Sequence, residues 1–170
     1  MDADHGNVAG QLGALSRVDE LFARSGVEYW LFGGWAVDFH AGVITRPHDD
    51  IDLAIWQSDL HKISTRLEED GWVHAAETNE DGYTGYERDG IRLELAFLAR
   101  ADDGVIYTPL RNGRGAWPDG AFENERRELR GVNVAVISRR ALVADKSESR
   151  DDPRVAAKDR ADVAVLLQKR

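Results

Sequence analysis

The chain has 170 residues, no cysteine, and 31 acidic against 22 basic residues, which gives a formal net charge of −9. This length corresponds to one domain that can build a core without disulfides or a structural metal, and the lack of cysteine excludes thiolate catalysis, thiolate zinc sites and iron–sulfur clusters. No apolar run is long enough to cross a membrane and no signal peptide is visible, so we expect a cytoplasmic protein without a membrane partner. The acidic balance argues against a polynucleotide partner.

Apolar periodicity and turn residues divide the first hundred residues into eight predicted elements. In chain order they are a helix over 8–25, a strand over 28–32, a short helix over 35–41, a strand over 50–56, a helix over 58–70 capped by Ser58, and strands over 72–77, 83–88 and 91–99, the last two joined by an Asp89-Gly90 hairpin turn.

The rest of the chain shows weaker periodicity but clear caps. It predicts a strand over 105–108, an irregular loop over 109–120, a hairpin of 128–130 and 132–137 around Gly131, a helix over 139–149 capped by Ser138, and a last helix that starts at Asp152-Pro153. We expect an apolar stripe on that helix, formed by Val155, Val163, Leu166 and Leu167. The whole pattern indicates an α/β (α+β) fold with a mixed or antiparallel sheet flanked by helices.

Strand alternation places three carboxylates on one face of the predicted sheet. The apolar residues of the strand over 50–56 share one face, which leaves Asp50 and Asp52 on the other. The strand over 91–99 repeats this pattern and leaves Glu94 on that face if the two strands are neighbours. Carboxylates about 7 Å apart repel unless a hard divalent cation lies between them. Three such acids can hold two Mg²⁺ ions, the arrangement used for in-line phosphoryl or nucleotidyl transfer.

A glycine pair, Gly33-Gly34, stands between a predicted strand and a predicted helix. Two glycines at this place let the backbone approach a phosphate, and the first N–H groups of the helix face it. Taken alone, such a pair is more often an ordinary turn. The sequence contains neither GxxxxGK[ST] nor GxGxxG, which excludes P-loop and Rossmann sites at the level of motifs.

The order of these features resembles the nucleotidyltransferase fold of polymerase β-like enzymes. It is most similar to the small antibiotic nucleotidyltransferases, the lincosamide and aminoglycoside 2″-type adenylyltransferase family. The residues that carry this resemblance are Gly33-Gly34-Trp35-Ala36-Val37-Asp38, Gly42 and Thr45-Arg46-Pro47-His48-Asp49-Asp50-Ile51-Asp52, with a weaker match at Lys146 and at Lys158-Asp159-Arg160-Ala161-Asp162. Most of the chain is covered, although residues 71–135 match only in layout.

The resemblance implies one nucleotidyltransferase domain over residues 1–170, with a catalytic core over 1–100 and with the strands and helices of 101–170 completing the acceptor side. It implies that Asp50 and Asp52 are catalytic metal ligands and that Glu94 is the third carboxylate, as a ligand or as the general base. The nucleotide would be bound by Gly33, Gly34 and Trp35 at the β,γ-phosphates, by Arg46 and His48 at the mouth of the site, and by Lys146 at the triphosphate.

The implied reaction is attack of an acceptor hydroxyl on the α-phosphorus of a magnesium-bound nucleoside triphosphate, with ATP as the first candidate and pyrophosphate as the product. The cofactors would be two Mg²⁺ ions, and the acceptor a small hydroxylated antibiotic such as an aminoglycoside or a lincosamide. The alternatives are a toxin-like enzyme that modifies tRNA or protein, which the dispersed basic residues disfavour, and a catalytically silent nucleotide-binding domain, which the three acids disfavour. A second subunit of a homodimer could complete the acceptor pocket.

Two further residues receive specific predictions. We expect Asp38 to make a structural hydrogen bond to the loop over 46–48 rather than to bind metal. Among the tryptophans, Trp117 is the candidate for a wall of the acceptor site, whereas the others are more typical of packing.

Overall fold

Helices and strands alternate along the N-terminal half of the chain and separate in the C-terminal half. The computed structural model describes residues 3–76 and 81–168. In this part of the chain the helices are α1 (Ala3–Ser25), α2 (Gly33–Ala41), α3 (Leu60–Glu69), α4 (Arg139–Lys146) and α5 (Pro153–Leu166). The strands are β1 (Tyr29–Phe32), β2 (Ile51–Trp56), β3 (Val73–His74), β4 (Tyr83–Arg88), β5 (Ile91–Arg100), β6 (Ile106–Leu110), β7 (Gly113–Ala116), β8 (Arg126–Leu129) and β9 (Val132–Ala135).

The central sheet is mixed, as predicted. Its strand order is β1-β2-β5-β4-β3, with β6 and β7 continuing from β5 and with β8 and β9 forming a separate hairpin. Strand β2 pairs antiparallel with β1 and parallel with β5. The expectation that the two acidic strands are neighbours is therefore confirmed, and the parallel register places Asp52 opposite Glu94.

The core lies between the helices and the sheet face that carries the apolar residues of the strands. Strands β2 and β5 bury their apolar residues, and α1 packs against β5 and α3. The largest fully buried side chains include Phe22, Leu31, Leu53, Ile55, Ile63, Leu67, Leu93 and Leu95. Since one strand parity is occupied by this core, the acidic parity at the start of β2 is left for the opposite side of the sheet. None of the helices that the structure describes is both long and apolar enough to cross a membrane.

Three element predictions differ from the structure. The predicted loop over 109–120 contains the end of β6 and all of β7, which pair as a hairpin; its glycine-rich strand has no side-chain alternation that periodicity can detect. Ser58 does not cap α3, because a single 3₁₀ turn over Gln57–Asp59 precedes that helix. The strand predicted over 72–77 is limited to Val73–His74, and Glu77 lies outside the described residues.

The last helix carries the most informative difference. The predicted caps are confirmed, because Ser138 accepts a hydrogen bond from the Ala141 N–H and Asp152 accepts one from the Arg154 N–H. The predicted apolar stripe is confirmed for Leu166, which is buried, and Val163 is half-buried, but the other two members are not part of the interior. Val155 and Leu167 are exposed, whereas α5 buries Asp159, Asp162 and Leu166. The inward face of α5 meets cationic side chains, so charge pairing replaces apolar packing there.

Candidate active site

Three carboxylates meet at the start of β2. One oxygen atom from each of Asp50, Asp52 and Glu94 can be chosen so that all three lie within 4.8 Å of one another. We call these three residues the acid cluster. Two neighbouring strands position it, since Asp52 and Glu94 are register partners and Asp50 directly precedes β2. The structure thus brings together the three acids that the sequence singled out.

The acid cluster concentrates negative charge. Burial, together with the neighbouring carboxylates of Asp50 and Glu94, raises the pKa of Asp52 well above its ordinary value. Burial also raises the pKa of Asp50, although Arg92 opposes this. Arg92 pairs with Glu94 at 3.5 Å. Asp50 and Asp52 therefore repel each other, and a bound cation would relieve this repulsion.

The acid cluster fits a hard divalent cation. Its donor set consists of carboxylate oxygens, which are the ligands that Mg²⁺ prefers. The surrounding backbone is also shaped for close approach: Gly33 has a φ of 70°, and a Cβ at this position would overlap Asp52 Oδ2. The residues that could hold the metal are thus present. A larger residue in place of Gly33 would fill the space beside them.

Gly33 and Gly34 form the first turn of α2, and neither position accommodates a side chain. A Cβ on Gly34 would lie 2.5 Å from His48 Nδ1 and 2.7 Å from Arg46 Nη2. The start of α2 therefore lies directly against Asp52 at Gly33 and against Arg46 and His48 at Gly34. Trp35 differs from the two glycines. Its side chain is buried in the core, where Nε1 donates to Gln11 Oε1 at 3.1 Å, so only its backbone N–H could contribute to the expected phosphate cradle.

The loop before β2 is anchored by Asp38. The Thr45 N–H and hydroxyl both donate to Asp38 Oδ1, at 3.1 and 2.5 Å, and His48 Nε2 lies 2.6 Å from Asp38 Oδ2. The predicted structural role of Asp38 is confirmed. The expectation that His48 stands at the mouth of the site is wrong, because this side chain is buried. Its Nε2 is instead the hydrogen-bond partner of Asp38, a buried carboxylate that needs partners inside the protein.

Gln11 on α1 completes this anchor, and sequence patterns did not reveal it. Its amide Nε2 donates to the His48 carbonyl oxygen at 2.9 Å, while its Oε1 accepts from Trp35. Gln11 is 1% exposed. The sequence signal that could have found it is its position four residues before Leu15, on the apolar face of the helix.

Cations from three parts of the chain meet the buried face of α5. Asp162 Oδ2 accepts from Arg46 Nη2 and from Lys146 Nζ, both at 3.0 Å. Asp159 accepts from Lys146 Nζ at 3.1 Å and from Arg150 Nε at 2.8 Å. We call these five residues the ion-pair cluster. The sequence predicts Arg46 and Lys146 as nucleotide-binding residues. For their partners Asp159 and Asp162 it predicts no role beyond their place in the family pattern.

A cavity of about 470 Å³ opens beside the acid cluster, with Gly33, Asp52 and Lys146 in its lining. One wall is charged and contains Asp145, Lys146, Glu148, Arg150 and Asp159. The other wall is largely apolar and contains Phe32, Tyr83, Leu110, Trp117, Pro118 and Val155. Trp117 therefore lines the cavity, as expected for a wall of an acceptor site. Its ring also packs edge-on against Phe32, and its Nε1 donates to Thr108 Oγ1 at 2.9 Å.

Comparison with known proteins gives one family match. The family model described as aminoglycoside-2″-adenylyltransferase matches residues 14–166. A lincosamide resistance protein of Staphylococcus haemolyticus is 40% identical over 53 residues, which are 31% of this chain and 33% of that protein. The matched segment thus spans about a third of the length of this curated relative.

Two solved structures share the fold. The lincomycin-bound lincosamide antibiotic adenylyltransferase LnuA superimposes with a TM-score of 0.67 at 23% identity, over 86% of this chain and 90% of that chain. ANT(2″)-Ia in complex with adenylyl-2″-tobramycin gives a TM-score of 0.73 at 21% identity, over 92% of this chain and 87% of that chain. The predicted nucleotidyltransferase fold is therefore confirmed.

Proposed function

The chain belongs to the aminoglycoside-2″-adenylyltransferase family of nucleotidyltransferases, and on that premise we propose that it transfers a nucleoside monophosphate from a magnesium-bound triphosphate to a hydroxyl of a small antibiotic. ATP is the first candidate for the triphosphate, and an aminoglycoside or a lincosamide for the acceptor. The observation that carries this proposal is the position of the acid cluster, which borders both the first turn of α2 and a cavity of about 470 Å³.

Each part of the site has a distinct task in this reaction. Asp50 and Asp52 hold the divalent cation, and the bound metal neutralises phosphate charge and lowers the pKa of the attacking hydroxyl. The N–H groups at Gly33 and Gly34 receive phosphate oxygens at the start of α2. Lys146 donates to the triphosphate from the opposite wall of the cavity. Catalysis then consists mainly of positioning and charge stabilisation.

Glu94 is the candidate general base, with a role as metal ligand as the alternative. It accepts the proton of the acceptor hydroxyl while the new oxygen–phosphorus bond forms and the bond to the pyrophosphate leaving group breaks. Its register position opposite Asp52 holds its carboxylate beside the metal ligands. An acceptor hydroxyl in the cavity would therefore meet a base and an α-phosphate at the same place.

Residues 101–170 supply the acceptor side. Trp117 and Leu110 offer apolar surface for the face of a sugar ring. Glu148 lies on the charged wall with its side chain 67% exposed, where it can receive an amine of a cationic acceptor. Both features suit a small, partly cationic acceptor better than a polyanion.

The proposal is tested with triphosphates labelled at the α-phosphorus, Mg²⁺, and a panel of aminoglycosides and lincosamides. We expect label to appear on at least one antibiotic, and we expect this transfer to vanish in Asp52→Asn. A wild-type protein that binds Mg-ATP but labels no member of the panel would contradict the proposed acceptor class. Failure to bind any Mg-triphosphate would contradict the nucleotidyl transfer itself.

A further inference from the structure

One buried carboxylate joins cations that are far apart in the sequence. Asp162 is 2% exposed, and its Oδ2 accepts from both Arg46 Nη2 and Lys146 Nζ at 3.0 Å. Its Oδ1 accepts a second bond from Arg46, from Nε at 3.2 Å. Arg46 belongs to the loop that leads to the metal ligands, and Lys146 ends α4. Asp162 thus connects the catalytic core to the C-terminal helices at a single atom.

The hydrogen-bond inventory of the two cations shows what remains available. Within the described residues, Lys146 uses one N–H on Asp159 and one on Asp162, so one of its three donors is left, and the side chain lines the cavity. Arg46 spends Nε and one N–H of Nη2 on Asp162, and it directs Nη1 to His48 and the Pro47 carbonyl. One N–H of Arg46 Nη2 is therefore left.

Each of these two side chains lies next to an element proposed to receive the triphosphate. Arg46 Nη2 is the atom that a Cβ on Gly34 would approach to 2.7 Å, so it lies against the first turn of α2. Lys146 lines the same cavity as Gly33 and the proposed metal ligand Asp52. A phosphate chain that runs from the first turn of α2 to the acid cluster would pass both donors.

We propose that Asp162 is a positioning residue for the triphosphate, which holds the free N–H groups of Arg46 and Lys146 towards the phosphates. This inference rests on the proposed function. Two cations within 3.0 Å of one oxygen would repel each other without the carboxylate between them. An asparagine has one acceptor oxygen and an NH₂ donor group, so it cannot satisfy the bidentate arginine and the lysine together.

The molecule provides a matched control for this role. Asp70, at the end of α3, also joins two cations: it pairs with Arg17 at 2.6 Å and with Arg88 at 2.8 Å. Asp70 lines neither the cavity nor the acid cluster. Asp70→Asn therefore removes the same charge from the same kind of three-residue pairing, away from the proposed nucleotide site.

The experiment measures equilibrium binding by calorimetry, with Mg²⁺ present throughout. The probes are ATP with a methylene bridge between the α and β phosphorus atoms, which cannot be transferred, and inorganic tripolyphosphate, which lacks the nucleoside. We expect Asp162→Asn to bind both probes about tenfold more weakly than wild type. We expect Asp70→Asn to keep wild-type affinity for both, even where its melting temperature falls.

A second set of variants separates positioning from a merely structural role. In a Lys146→Gln background, adding Asp162→Asn should weaken tripolyphosphate binding by less than about threefold, because the residue then acts through Arg46 alone. This double variant also keeps the measurement possible if Asp162→Asn does not fold by itself, since it removes one buried charge of each sign.

Wild-type affinity for tripolyphosphate in folded Asp162→Asn would overturn the inference while leaving the proposed function intact. An undiminished loss in the Lys146→Gln background would overturn it as well, because Asp162 would then act independently of the lysine. A wild-type protein that binds neither probe would refute both this inference and the proposed nucleotidyl transfer.

Discussion

The acid cluster and the ion-pair cluster are both built from buried or half-buried carboxylates, yet they behave in opposite ways. In the first, Asp50 and Asp52 have raised pKa values because burial adds to repulsion between carboxylates. In the second, burial also opposes ionisation of Asp162, but hydrogen bonds and ion pairs with Arg46 and Lys146 outweigh it and lower the pKa. In the ion-pair cluster the cations of the chain outweigh the cost of burial, whereas in the acid cluster Arg92 pairs with Glu94 but the pKa values of Asp50 and Asp52 stay raised.

This difference separates two uses of charge within one site. A carboxylate that the chain already neutralises holds elements in place, since breaking such a buried pair is strongly destabilising. Carboxylates that repel each other weaken the fold, so their close grouping points to a ligand that relieves the repulsion. Substitution of one member of each cluster at a time tests this difference.

The largest effect is expected for Asp52→Asn. Loss of a metal ligand should reduce nucleotidyl transfer by roughly a thousandfold. The same change should raise the melting temperature of the metal-free protein, because it removes one of the repelling buried charges. Calorimetric scans with and without Mg²⁺ provide the measurement, and the stabilisation by Mg²⁺ that we expect for wild type should be absent from the variant. A lower melting temperature of the metal-free variant would contradict the assigned repulsion.

The next effect concerns the backbone beside the acid cluster. Gly33→Ala should reduce transfer by about a hundredfold, because its Cβ would overlap Asp52 Oδ2 and displace a ligand. Gly26→Ala is the matched control, since Gly26 has a φ of 66° against 70° for Gly33 but meets nothing within 4 Å. Both variants should lose about 1 kcal/mol of stability from the left-handed backbone. Equal activity in the two variants would show that the close approach to Asp52 is unimportant.

In the ion-pair cluster we expect a smaller effect, which concerns the free energy of unfolding. Asp159→Ala should lower the free energy of unfolding by about 2 kcal/mol, because it strips a buried partner from Lys146 and Arg150. Glu148→Ala removes an exposed carboxylate that lies 3.7 Å from the same arginine, and it should change stability by less than about 0.5 kcal/mol. Urea unfolding measures both. Similar losses in the two variants would remove the distinction between buried and exposed partners of Arg150.

The acid cluster could be predicted from the sequence because strand geometry is local. Period-two alternation assigns Asp50, Asp52 and Glu94 to one parity without any knowledge of the remaining fold. The one non-local condition was that the two strands be neighbours, and the parallel pairing of β2 with β5 fulfils it. The glycine pair at the start of α2 was visible for the same reason, since glycine is favoured where the backbone has a positive φ, as at Gly33.

The ion-pair cluster could not be predicted in the same way. The rule for amphipathic helices assumes an apolar interior, so it assigned the inward face of α5 to Val155 and Leu167. Asp162 and its partners Arg46 and Lys146 are separated by 116 and 16 positions in the chain, and no local pattern specifies such a meeting. The prediction for His48 was wrong for a related reason. Its partner Asp38 lies inside the protein rather than at the mouth of the site.

The smallest effect is expected at Asp70, which extends the comparison to the protein surface. Its hydrogen bonds to Arg17, with a further contribution from Arg88, lower its pKa in the folded protein. Because the folded pKa is depressed, the pairing stabilises the protein fully above the unfolded value of about 3.9 and loses this contribution as the pH falls through the folded pKa. At neutral pH, Asp70→Asn should reduce stability by at most about 1 kcal/mol, since the partner Arg17 is half exposed.

This pH dependence gives the comparison its last test. The difference in unfolding free energy between wild type and Asp70→Asn should shrink as the pH falls below about 4, because wild-type Asp70 becomes protonated and then resembles asparagine. Urea unfolding over a series of acidic buffers measures this difference. The difference in unfolding free energy between wild type and Asp162→Asn should also shrink towards acid pH. It should start from a larger value at neutral pH, since the wild-type Asp162 carboxylate is buried against two cations. A gap that widens towards acid pH would mean that the carboxylate is favoured in its protonated form, which would place Asp70 with the acid cluster instead of the ion-pair cluster.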